Sequence, residues 1–146
     1  MKLYLTLILA MTLGLPTFAQ NALIGNWSLS AVRKIDLSAN TELTTEQTIF
    51  GAQPNIGFQV TPKLELQSKH FEEQNLHVSF EIVGEGQLLI KFAKTYAEGE
   101  ARPTFNGSPM AESVTQTDYN YAVEGKTLRL YRQDPAYSDE FIFVRN

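Results

Sequence analysis

The chain has no cysteine. Disulfides are therefore excluded, a lipid-modified cysteine anchor is excluded, and the fold must hold by packing alone. Histidine is nearly as scarce. His77 sits opposite the apolar positions of its segment, and His70 lies in the polar stretch Lys69-His70-Phe71-Glu72-Glu73, read as a turn. The two form no spaced ligand set, so no zinc or haem site and no other cofactor is expected. Basic residues never cluster beyond Arg33-Lys34, and a phosphate-tracking surface needs clustered Lys and Arg, so nucleic acid is not an expected partner. After the first twenty residues there is no apolar run long enough to span a membrane, no sustained helical period, no repeat and no low-complexity tract.

What is present begins with a leader. Lys2 supplies a positive start, Leu3 to Leu15 is almost wholly apolar, Pro16 breaks the run, and Thr17-Phe18-Ala19 places small residues where a signal peptidase reads. The apolar stretch falls short of the roughly 20 residues of a membrane span, which favours cleavage after Ala19 over an uncleaved anchor. The expectation is an exported protein, periplasmic or extracellular, with residues 1–19 removed and residues 20–146 forming one domain. Loss of Lys2 leaves 11 basic against 16 acidic residues, a formal charge of −5. This mild acidity serves solubility.

Period-two alternation dominates the mature chain, which is the signature of half-buried strands. Leu76, Val78, Phe80 and Ile82 alternate with His77, Ser79 and Glu81; Gly84-Glu85-Gly86 turns the chain; Leu88, Ile90 and Phe92 follow. Tyr119, Tyr121 and Val123, a turn at Glu124-Gly125-Lys126, Leu128 and Leu130, a turn at Asp134 to Ser138, then Phe141 and Phe143 read as a three-stranded meander. The first strand is expected from Gly25 to about Asp36, with Trp27, Leu29, Ala31 and Ile35 on one face. Thr44 to Phe50, Ile56 to Thr61 and Lys63 to Gln67 look strand-like, interrupted by Pro54 and Pro62. Ala97 to Ser113, with Gly99, Pro103, Gly107 and Pro109, is expected to be the longest loop. About eight strands result, and the fold class is all-β.

Gly25-Asn26-Trp27, opening the first strand of an exported domain of this size, resembles the Gly-x-Trp signature of lipocalins. The hairpin-rich tail ending Phe141-Ile142-Phe143-Val144-Arg145 is similar to that of short bacterial lipocalin-like domains. The chain departs from many secreted lipocalins in having no cysteine pair, and the turn motif that some carry between middle strands is not found. The resemblance implies an antiparallel up-and-down β-barrel. In such a barrel of even strand number, closure makes the first and last strands neighbours. Arg145 shares the face of Phe141 and Phe143 by parity, so its guanidinium is expected over the Trp27 indole, closing the bottom of the barrel, as in the Arg–Trp contact of lipocalins.

A closed barrel of about eight strands has room for side chains or one small ligand. The inward set is Leu29, Leu64, Leu66, Val78, Phe80, Ile82, Leu88, Ile90, Phe92, Tyr119, Tyr121, Leu128, Leu130, Phe141 and Phe143. Of these, Phe80, Phe92, Tyr119, Tyr121, Phe141 and Phe143 are the candidate ligand-binding residues, with Gly25, Trp27 and Arg145 as structural closure. A filled core and an apolar cavity demand the same alternation, so parity does not separate them. The carboxylate pairs Glu72-Glu73 and Glu98-x-Glu100 lie in apparent loops without apolar cover, and Ser108 and Ser113 have no base in a recognisable pattern, so no reaction is supported. The expected function is non-catalytic: a monomeric exported barrel binding a small hydrophobic molecule, the alternative being an envelope protein-interaction or stabilising module with a filled core.

Overall fold

The structure is a computed structural model and describes residues 18–34, 46, 49–50, 56–133 and 138–146. Residues 1–17, Ile35 and Asp36, Pro54 and residues 134–137, on which the expected leader, the end of the first strand and the last turn fall, lie outside the described residues.

Strands follow in the order β1 (Gly25–Lys34), β2 (Gly57–Val60), β3 (Glu65–Gln67), β4 (Leu76–Gly84), β5 (Gln87–Thr95), β6 (Thr104–Phe105), β7 (Ser108–Pro109), β8 (Glu112–Glu124), β9 (Thr127–Gln133) and β10 (Ser138–Arg145). Eight of them close into an antiparallel barrel ordered β1-β10-β9-β8-β5-β4-β3-β2, and β6 and β7 form a separate hairpin. The alternation dictates this. In β5, Leu88, Ile90 and Phe92 are buried, and they register against Tyr119, Thr117 and Thr115 of β8 on one side and Ile82, Phe80 and Val78 of β4 on the other. In β10, Phe141 and Phe143 face Leu130 and Leu128 of β9. The outer wall carries charge instead, with Lys91 paired to Glu81, and Arg129 Nε 2.6 Å from Glu140 Oε1.

Several sequence expectations need correction. A bulge between Leu29 and Ala31 shifts the register of β1 on β10, so Val32, opposite Phe141, continues the inward face in place of Ala31, which lies opposite Ile142. The segment Thr44 to Phe50 is not a strand at its described positions: Glu46, Ile49 and Phe50 are helical and buried. Lys69–Glu73 is a short helix, not a turn, because Ser68 caps it by accepting from the His70 amide, and it buries Phe71. The stretch Ala97 to Ser113 is not wholly loop. Asn106 and Gly107, at φ +51° and +80°, turn β6 into β7, the Asn-Gly chemistry of a tight hairpin. β8 begins at Glu112, well ahead of the expected start.

Candidate functional site

One end of the barrel is sealed by the residues that carried the lipocalin resemblance. Trp27 is fully buried and donates its indole N–H to Leu23 O at 2.8 Å. The Arg145 guanidinium lies 4.4 Å from the Trp27 ring centroid and donates to Ala22 O at 2.8 Å and Ile24 O at 2.9 Å. These carbonyls belong to residues at the end of the helical stretch 18–23, so the cation also caps it.

The middle of the barrel is packed by aromatic rings. Phe50, fully buried, comes from the segment between β1 and β2 and not from the barrel wall. Its ring centre stands 5.5 to 6.3 Å from those of Phe58, Phe71, Phe92, Phe141 and Phe143, three of them edge-on. Thus three candidate ligand residues, Phe92, Phe141 and Phe143, meet the chain's own phenyl group. Phe80 packs edge-on against Phe58 and also lines an outer recess of about 260 Å³ with Leu64, Ile82, Lys63, Glu81 and Gln20. Tyr121 is half-buried against the core, and burial raises its phenol pKa.

Tyr119 borders this aromatic group, its ring centre 6.1 Å from that of Phe141, and carries a polar contact at its far end. Its hydroxyl donates to Asp139 Oδ2 at 3.1 Å, and the Arg132 guanidinium lies 5.4 Å from its ring centroid. Arg132 Nε is 3.6 Å from Asp139 Oδ1. Asp139 and Glu46 are each 1 % exposed. Burial, followed by the charges of Asp139 and Glu46, drives the Tyr119 phenol pKa far upward, so it stays a neutral donor. This buried polar layer did not figure in the sequence reading. Its signal was there: Asp139 continues the inward positions Phe141 and Phe143 by one step, and Arg132 continues Leu128 and Leu130.

Beside this layer is an opening. β9 pairs with β8 only from Asn120 to Glu124, although β8 runs back to Glu112. Where the two strands part there is a cleft of about 390 Å³, lined by Val83, Gln87, Leu88, Asp118, Tyr119, Asn120 and Arg132. Leu88 and the Tyr119 ring supply apolar floor; Arg132, Asp118, Asn120 and Gln87 supply hydrogen-bonding groups. The volume falls within the usual range of about 300–1,000 Å³ for a small-molecule site, and the lining is more polar than is usual for one, with Gln87, Asp118, Asn120 and Arg132 among its seven residues. Among the described residues, no group of three histidines or carboxylates is placed to hold a metal ion. His77 is exposed and His70 half-buried beside Phe71. Comparison of the chain with family models, with curated proteins and with solved structures finds no match.

Proposed function

We propose that this chain is an exported, non-catalytic, lipocalin-like binding protein for a small, largely hydrophobic molecule with a hydrogen-bonding head, seated where β8 parts from β9. The cleft at Tyr119 carries this reading, since it joins adequate volume to an apolar floor and a fixed polar edge. Burial of the ligand body against the half-exposed Val83 would supply affinity at about 25 cal/mol per Å². Arg132, held by Tyr119 and Asp139, is preorganised to meet a polar head group.

The test is native mass spectrometry of the mature chain, purified without detergent from the exported fraction of its own host. The expected result is a discrete additional mass, lost on denaturation and absent from Val83→Trp, which fills the cleft from a half-exposed position. Bare polypeptide in both samples overturns the proposal. The packed Phe50 centre favours a second reading, an interaction module with a filled core, and that outcome would support it.

A further inference from the structure

The open side of β8 has a second property, independent of any small molecule. β5 pairs with β8 without a break from Glu112 to Asn120, whereas β9 reaches only back to Asn120. Among the described residues, Glu112–Tyr119 therefore has a strand neighbour on one side only. At about 3.3 Å per residue this edge is roughly 26 Å long.

The hydrogen-bond phase fixes which groups face outward. Tyr121 N donates to Gly86 O and Tyr96 N donates to Ala111 O, so the odd-numbered residues of β8 are those bonded across to β5. The backbone N–H and C=O groups of Val114, Gln116 and Asp118 then point to the open side. Natural edges are usually protected by proline, lysine or a bulge. This one has none: its sequence is Glu-Ser-Val-Thr-Gln-Thr-Asp-Tyr, and its register on β5 is continuous. Val114 is 62 % exposed on the outward face. Val114, Thr115 and Thr117 are β-branched, which holds the edge extended without a partner.

Charge selects the occupant. β8 carries Glu112, Asp118 and Glu124 and no Lys or Arg in thirteen residues. Glu112 and Asp118 lie on the same outward face as Val114, one at each end of the edge. A second copy of β8 brings only further acids to this edge. A complementary strand has basic side chains toward its ends and an apolar or β-branched residue between them.

We propose that the Glu112–Tyr119 edge is a docking site for an extended, basic segment of a partner protein, added as an antiparallel strand beside β8. Main-chain bonds supply most of the affinity in this mode, so a generic strand is an adequate probe. The probe is the blocked peptide Arg-Thr-Val-Ser-Val-Thr-Arg, with Glu-Thr-Val-Ser-Val-Thr-Glu as its charge-reversed control. The readout is amide exchange by NMR on the full mature chain, with sedimentation for the oligomeric state. The basic peptide is expected to slow exchange at Val114, Gln116 and Asp118 at least tenfold, and the acidic one to bind at least tenfold more weakly. Val114→Pro deletes an N–H on the open side while sparing the bonds to β5, so its melting temperature should stay near that of the parent while peptide protection is lost. No protection at millimolar peptide, or equal protection in Val114→Pro, overturns the proposal. A dimer of the parent chain that Val114→Pro dissolves also overturns it, by making a second copy the occupant.

Discussion

At Gly25 the backbone φ is +140°, and a Cβ there would sit 2.8 Å from Arg145 Nη1. The glycine of Gly-x-Trp is thus explained twice, by a conformation that side chains rarely adopt and by the space the guanidinium needs. Arg145→Ala removes a cation–π contact and leaves Ala22 O and Ile24 O without their donor; it should cost about 2–3 kcal/mol in urea unfolding, with Arg145→Lys recovering less than half. An unchanged midpoint would remove the Arg–Trp contact from the account of barrel closure. Tyr119 gives a pH prediction. Its folded pKa lies above the ordinary value of 10.0, so the folded state holds the phenolic proton more tightly than the unfolded chain does. The associated stability is complete below about pH 10 and is lost as pH rises beyond it. Unfolding free energy measured from pH 8 to 11.5 should therefore fall more steeply in the parent than in Tyr119→Phe; parallel curves would show that the phenol does not contribute. At this scale the sequence was legible where a residue lies in an unbroken alternation, as for Phe141 and Phe143. It was opaque at Asp139 and Arg132, because a charged side chain at an inward position reads as the end of a strand until the fold supplies Tyr119 to receive it.

The barrel elements were legible for a physical reason. An antiparallel sheet with one buried face forces period two, and β4, β5, β9 and β10 show it, with Gly86 in the β4–β5 turn and Gly125 in the β8–β9 turn, both at positive φ. Three features at this scale left no such trace. The bulge after Leu29 inserts one residue and moves the inward face to Val32, a local event that alternation cannot foresee. The length of β8 was hidden because Ser113, Thr115 and Thr117 are polar on the inward parity. Phe50 ends a segment, Thr44 to Phe50, whose sequence looks strand-like, yet it is a ring inserted among five others. Phe50→Ala should cost about 3–5 kcal/mol, the range for large-to-small changes in a packed core. The space it leaves is lined by phenyl groups, so it should stay dry and bind benzene or indole, as engineered apolar cavities do. Calorimetry with indole on parent and variant decides this. Binding by the variant alone is expected; a stability loss under 1 kcal/mol would mean that Phe50 is not the centre of the core.

Across the whole molecule, an up-and-down barrel is a ring of neighbours that a linear chain must close once. Here the closing seam joins β1 to β10, where Arg145 bonds Ile24 across 121 residues and Asn146 N donates to Asn26 O at 3.0 Å. All other barrel neighbours follow one another in sequence, β5 and β8 being separated by the β6–β7 hairpin. Loop-closure entropy makes the long-range seam the last to be rewarded, so β1–β10 should form after the folding transition state. A circular permutant tests this: Asn146 joined to Gln20 by a short flexible link, with new ends between Asn106 and Gly107, where a Cβ would meet nothing within 4 Å. In that chain β1 and β10 become a local pair, and β5–β8 becomes the distant seam. Because one seam replaces another, the folding rate should change by less than about tenfold. The order of events should invert. Phe143→Leu, at the register position opposite Leu29, is expected to give φ below about 0.3 in the natural order and above about 0.5 in the permutant. Equal φ in both chains would mean that the barrel closes by a nucleus indifferent to where the chain is cut.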